Sequence, residues 1–181
     1  MSTITPDTGS LTWNIDTTHS SIDFSVKHLG MFTVRGSLGP VTGSVETTDG
    51  ALTAISLSID VSGISTNNEQ RDGHLKSADF LDVAEHPTAE FKSTEVAKKT
   101  DAEYSITGDF TLHGVTKPFT VDVEIHPVVK DPWGNTRSGA TGSGVLLRSA
   151  YGLTYNSIME SGHALLSDEV KFTFDIQGVA A

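Results

Sequence analysis

Seven histidines, at positions 19, 28, 74, 86, 113, 126 and 163, are the side chains of this sequence best equipped for metal binding or acid–base work. Their spacing does not organise them. None forms an H-x-H or H-E-x-x-H pair, and with no cysteine in the chain a thiolate metal site, a disulfide and a cysteine nucleophile are all excluded. A G-x-S-x-G elbow, a phosphate-cradling glycine loop and a dinucleotide fingerprint are missing as well. The local motifs therefore name no catalytic residue, no metal and no cofactor. Convergence of distant histidines in space is the one route they leave to an enzyme. His86, in "AEHPT", reads as a turn former, because Pro87 restricts it to extended geometry.

Other groupings suit binding better than catalysis. In "SSIDFSVKHLGMFTVRGSL" (20–38), Ile22, Phe24 and Val26 alternate with Ser21, Asp23, Ser25 and Lys27, and the polar His28 then falls on the apolar side. A polar ring at the end of a dry strand must find partners or face water. It either pins the strand end, or it stands at the mouth of a pore and bonds the polar head of a ligand whose tail meets Phe24, Val26 and Phe32. Arg35, on the following strand, would add positive charge to such a mouth. "RDGHLKSADFLD" (71–82) mixes Arg71, His74 and Lys76 with Leu75, Phe80 and Leu81, as a capping helix or a lid over a barrel end would. Phe91, Trp133, Tyr151 and Tyr155 are large apolar bodies suited to a core or a pore wall, with Arg148 and Asn156 as candidate polar contacts near them.

These side chains need a scaffold, and period-2 alternation supplies it through most of the chain: Ile55, Leu57, Ile59, Val61; Ile106, Phe110, Leu112; Phe119, Val121, Val123, Ile125; Val170, Phe172, Phe174, Ile176. The intervening positions are polar, so each strand has one dry face. Between turn signals such as Asp49-Gly50, "HGVTKP" (113–118) and "DPWGN" (131–135), the runs predict about eight long strands, near 20–29, 32–48, 52–61, 88–97, 103–112, 118–129, 138–151 and 168–178, after a short one at 11–15. Gly39-Pro40 should bend the second of them. A helix is predicted over 67–82, with Thr66 or Asn67 as its N-cap and Gly73 weakening its middle.

One short helix cannot cover so large a dry surface. The sheet must bury its face against another sheet or close on itself, and about eight strands is the number at which closure leaves room for side chains or one small ligand. The expectation is an all-β fold, an extended eight-stranded antiparallel barrel with one short helix near a barrel end, formed by residues 11–181 after a flexible segment at 1–10. Glycines 36, 39, 43, 108 and 142 would thin its lining and favour a cavity, unless they mark bulges and bends.

The charge balance, 12 Lys+Arg against 23 Asp+Glu for a net −11, repels nucleic acid and anionic membrane surfaces. No apolar run approaches a membrane span, and "MSTITPDTGSLTW" does not resemble a signal peptide, which leads to the expectation of a cytoplasmic protein without stable membrane insertion. Pairing of two copies through an exposed edge or mouth is a further expectation.

"HSSIDFSVKHLGMFTVRGSL", "RDGHLKSADFLDVAEHPTAEFKST", "ITGDFTLHGVTKP", "DPWGNTRSG" and "YGLTYNSIMESGHALLSDEVKFTFDIQ" occur in an order, over about residues 11–178, that resembles the YceI family of polyisoprenoid-binding, lipocalin-like proteins. The resemblance implies an eight-stranded barrel whose apolar pore holds the tail of an isoprenoid quinone, a polyprenyl phosphate or a similar amphiphile, without catalysis. Where the family usually reads Asn-Arg-x-Asp-Phe-Gly this chain has Leu147, Arg148, Ser149, Ala150, Tyr151 and Gly152, so two polar groups are replaced. On this expectation Leu57, Ile59, Phe80, Phe110, Val121, Phe172 and Phe174 join the pore wall named above, while His28, Arg35, Arg71, His74, Arg148 and Asn156 meet the head. Two alternatives remain: an enzyme built on clustered histidines, and a barrel packed solid by its own side chains for a structural or protein-binding role.

Overall fold

The computed structural model describes residues 9–181; residues 1–8 of the expected N-terminal segment lie outside the described residues, and Ser10 already belongs to a strand. In chain order the strands are β1 (Ser10–Ile15), β2 (Ser21–His28), β3 (Phe32–Ser37), β4 (Val41–Thr48), β5 (Ala51–Asp60), β6 (Thr88–Lys98), β7 (Glu103–Leu112), β8 (Val115–Ile125), β9 (Val129–Lys130), β10 (Thr136–Leu147) and β11 (Leu166–Ala180). Helix α1 (Glu69–Lys76) lies between β5 and β6.

Neighbouring strands pair antiparallel in a meander, and β11 closes the ring by pairing with β10 along one edge and with β1 and β2 along the other. β1 and β2 are two halves of one bent strand, as are β3 and β4, and the two-residue β9 continues β8 along the same edge of β10. Counted this way, eight strands form a closed barrel among the described residues. The break between β3 and β4 falls where Gly39-Pro40 was expected to bend the chain. There the backbones nearly touch: a Cβ on Gly39 would lie 2.3 Å from the Asp60 carbonyl oxygen.

Several boundaries differ from the sequence reading for local reasons. Strand β8 begins at Val115 rather than 118, because His113 and Gly114 (φ 51° and 71°) make a two-residue hairpin that pairs Leu112 with Val115. Strand β10 stops at Leu147, where the chain tightens into a 3-10 turn over Arg148–Tyr151 that ends on Gly152 in the left-handed region. Helix α1 is shorter than 67–82. Asn68, neither Thr66 nor Asn67, caps it by accepting a hydrogen bond from the Arg71 amide, while Asn67 adopts a positive φ that no helix allows.

The interior is layered along the barrel axis. Leu52, Phe91, Tyr104, Ile106 and Val123 pack toward the end where β5 and β7 begin. Val41, Ile59, Val61, Leu81, Leu112 and Tyr151 pack toward the other end, beneath the connection that carries α1. An ion pair near the first end ties three parts of the chain together. Arg137 on β10 donates to Asp16, after β1, at 2.6 Å and to Asp131, in the β9–β10 turn, at 2.7 Å. The Arg137 guanidinium, helped by His19, holds the Asp16 carboxyl down at about 2, and it holds Asp131 well below the usual range too. Carboxyls depressed in the folded state stabilise it above their unfolded value of about 3.9 and lose that contribution as pH falls toward about 2. Arg137→Met is therefore expected to lower Tm by several degrees at pH 7 and by less at pH 2, where Asp16 is partly protonated while Asp131, held lower still, keeps its charge. Thermal denaturation followed by circular dichroism across that range checks it.

Candidate functional site

The barrel is not packed solid: it encloses a cavity of about 630 Å³, within the range of ~300–1,000 Å³ usual for small-molecule sites. The alternative of a plugged barrel is thereby set aside. Its wall carries the inward residues of nearly every strand, and its polarity is distributed unevenly. Six polar side chains reach it: His28, Thr66, Arg71, His74, Arg148 and Tyr155. All come from segments at one end, namely the last residue of β2, the connection bearing α1, and the chain between β10 and β11. From that mouth inward the lining is hydrocarbon.

The wall residues expected from sequence divide clearly. Phe24, Val26, Leu57, Ile59, Phe80, Phe91, Phe110, Val121, Tyr155, Phe172 and Phe174 line the cavity. Three expected members do not. Phe32 pairs with His28 on the correct face, but it stands past the rim at the hairpin tip and is 60% exposed. Trp133 projects into solvent at the opposite end, because the Asp131 carboxylate gathers the Trp133 and Asn135 amides into a tight turn whose side chain has nothing to pack on. Tyr151 is buried, but beneath the wall, edge-on to Phe110 at 5.5 Å, and this burial raises its hydroxyl pKa.

Glycine explains why aromatic walls leave a lumen. Phe24 pairs across strands with Gly36, Phe174 with Gly142 and Phe172 with Gly144, and Phe91 reaches diagonally to Gly108. A Cβ at these glycines would stand 2.3–2.6 Å from the ring seated over it. Each ring thus covers a glycine backbone instead of crossing the pore. Gly39 and Gly43, expected to thin the lining, do something else: their Cβ positions collide with the backbone oxygens of Asp60 and Ser56, so they mark close strand approach.

At the mouth, Arg148 is buried and donates from Nε to the Ser167 carbonyl at 2.9 Å and from Nη1 to the Leu153 and Tyr155 carbonyls at 2.6 and 2.8 Å. Burial lowers its pKa, against the Asp168 charge. Asp168 in turn accepts bonds from the amide and hydroxyl of Ser149. Arg71 is held likewise, Nε donating to the Thr66 hydroxyl and Nη2 to the Thr66 carbonyl, while Asp72 accepts from the Thr66 amide and hydroxyl. Those Thr66 bonds lower the Asp72 pKa. Among the described residues these bonds leave Arg148 Nη2 and Arg71 Nη1 uncommitted. His74, bonded to Asp79 at 2.8 Å, packs edge-on to Phe80 and Tyr155 at 5.0 and 4.9 Å, closing part of the opening with three rings. The His28 ring reaches the cavity with no hydrogen-bond partner among the described residues.

Two expected head contacts are not at the cavity. Arg35 points outward, since its neighbour Val34 occupies the inward position opposite Val26. The Asn156 amide behaves as an extra strand residue, donating to the Leu166 carbonyl at 2.8 Å and accepting from its amide at 3.0 Å. Thr66 was missed as a mouth residue. It had been expected only as a candidate N-cap of the helix.

A family model for the YceI-like domain matches residues 13–178. The chain belongs to the YceI-like family. A UPF0312 protein of Pectobacterium carotovorum is 37% identical over 163 residues, 89% of this chain and 81% of its own length, and one of Vibrio cholerae is 38% identical over 137 residues, 75% and 72% of the two chains. Among solved structures, BcnA of Burkholderia cenocepacia superposes with a TM-score of 0.75 at 19% identity, covering 90% of this chain and 98% of its own. A polyisoprenoid binding domain from Saccharophagus degradans superposes with a TM-score of 0.72 at 15% identity, covering 93% and 98%. At these identities the structural matches establish the fold. Leu147 and Ala150, where the resemblance led to an expectation of Asn and Asp, are both off the cavity wall.

The ring-on-glycine arrangement is testable at Gly144, where the three atoms nearest an added Cβ all belong to the Phe172 ring. Gly144→Ala should swing that ring into the lumen, destabilise the fold by about 1–3 kcal/mol through overpacking, and shrink the capacity for apolar ligands. Urea denaturation together with titration of an apolar fluorescent probe measures both effects.

Proposed function

We propose that this protein binds the apolar tail of a long-chain amphiphile, of the isoprenoid quinone or polyprenyl phosphate kind, inside the barrel and keeps the polar head at the mouth. The observation that carries the reading is the cavity itself, hydrocarbon along its length and polar at one end. Membership of the YceI-like family, and the likeness in fold to a polyisoprenoid binding domain, support it.

The energetics assign separate tasks to the two ends. Burial offers ~0.8 kcal/mol per CH₂, so each five-carbon unit contributes roughly 4 kcal/mol gross before the flexible tail is ordered. Affinity follows the length of tail that the pore accepts. Selectivity falls to the mouth, where the uncommitted guanidinium nitrogens of Arg71 and Arg148 suit an oxygen-rich head. Such binding requires no cofactor and no catalytic group, and it fits a carrier or reservoir better than an enzyme, since a hydrocarbon slot depends on size and dryness.

Native mass spectrometry of freshly purified protein is expected to show an added mass that organic extraction releases as lipid. Delipidated protein should gain Tm with prenols of increasing length until the pore is full. Protein that carries no lipid and whose melting is indifferent to prenol length would overturn the proposal. Arg71→Gln is expected to weaken a prenyl phosphate about tenfold or more and to leave the neutral prenol of equal length almost unaffected.

A further inference from the structure

Outside the cavity, three ligating groups converge at the same barrel end. One atom each from Asp82, His86 and His113 lies within 4.8 Å of the other two, and all three residues are half-buried. Asp82 and His86 belong to the connection between α1 and β6, and His113 to the β7–β8 hairpin. The chain brings them together by local devices. The His86 amide donates to the Asp82 carbonyl at 2.8 Å, an α-turn that puts both side chains on one side. The His86 ring lies directly on the hairpin, where a Cβ at Gly114 would stand 2.8 Å from its Cε1, and it meets His113 edge-on at 5.2 Å.

The hydrogen bonds leave this trio prepared for a cation. His113 Nδ1 lies 3.2 Å from the Tyr151 carbonyl, which can only accept, so Nδ1 carries the proton and the neutral ring keeps its lone pair on Nε2. That carbonyl contact is the outer-shell partner that metal-binding histidines usually have. Neither the Asp82 carboxylate nor the His86 ring has a hydrogen-bond partner among the described residues, and the net charge of −11 favours cations.

We propose that Asp82, His86 and His113 form a binding site for a divalent transition-metal cation of the zinc class. Two imidazoles and one carboxylate select Zn²⁺ or its first-row neighbours over Mg²⁺ and Ca²⁺, which take oxygen ligands. A tetrahedral ion holds its ligand atoms about 3.3 Å apart, so atoms already within 4.8 Å of one another need only a small approach to meet it, and a fourth position stays open to water. The ion would staple the α1 connection to the β7–β8 hairpin. Phe80 and Leu81, immediately before Asp82, and Leu112, immediately before His113, line the cavity, so the staple would stiffen one side of its mouth. The site does not depend on lipid occupancy.

Untagged, chelator-stripped protein titrated with Zn²⁺ by calorimetry should bind one equivalent, and its Tm should rise by about 5–10 °C at a hundredfold excess over Kd. His86→Phe, which keeps an aromatic ring on the hairpin, and His113→Asn, which tolerates the left-handed turn, should each weaken binding at least tenfold, whereas His163→Ala should not. Should either variant fold poorly, paramagnetic Co²⁺ added to the natural protein still decides: broadening must centre on the His86 and His113 ring signals. Failure to bind one equivalent, affinity retained in folded His86→Phe, or broadening centred on His19, His74 or His163 would each overturn the site.

Discussion

A barrel wall can be lined with aromatic rings and still enclose a hole only if those rings lie flat, and here they lie flat because the opposing position has no side chain. Phe24, Phe91, Phe172 and Phe174 each rest over a glycine on the neighbouring strand, where even a single methyl would collide with the ring. The pairing serves two ends at once. It covers glycine backbone that would otherwise face the lumen bare, and it keeps large apolar area out of the pore axis. The cavity of about 630 Å³ and its hydrocarbon lining both follow from that arrangement.

The second organising feature is asymmetry along the axis. At one end the strands are drawn together by the Arg137 pair with Asp16 and Asp131 and by a layer around Ile106. At the other, the insertion between β5 and β6 brings Arg71, His74 and Phe80 over the opening, and the 3-10 turn after β10 delivers Arg148. Each guanidinium is oriented by carbonyls or a hydroxyl, so the cations at the mouth are positioned before any ligand arrives. Such a gradient would suit an amphiphile entering tail first, as the proposed function requires.

Much of this was legible along the chain. Alternation located every long strand to within a few residues, and its one-sidedness demanded cover for the dry face, by a second sheet or by closure, with a count of about eight strands favouring closure. Where boundaries slipped, a short-range turn won over the periodic pattern: His113-Gly114 started β8 early, and the Arg148–Tyr151 turn ended β10. Residue type alone misjudged Trp133 and Tyr151. Both are large and apolar, but one sits at a turn with nothing opposite and the other beneath the wall, which is a matter of position in the tube rather than of chemistry.

The sequence by itself determined which face of each strand is dry, hence the all-β barrel and the aliphatic and aromatic character of its interior, because alternation is a property of neighbours in the chain. Tertiary structure alone decided whether the interior was full or hollow, since that depends on which glycine stands across from which phenylalanine, a question of register between strands far apart in sequence. It also decided which polar groups share a space. His28, Arg71 and Arg148 meet at one mouth, and Asp82, His86 and His113 meet outside it, because barrel closure brings distant segments to a common end and no spacing rule along a chain encodes that meeting.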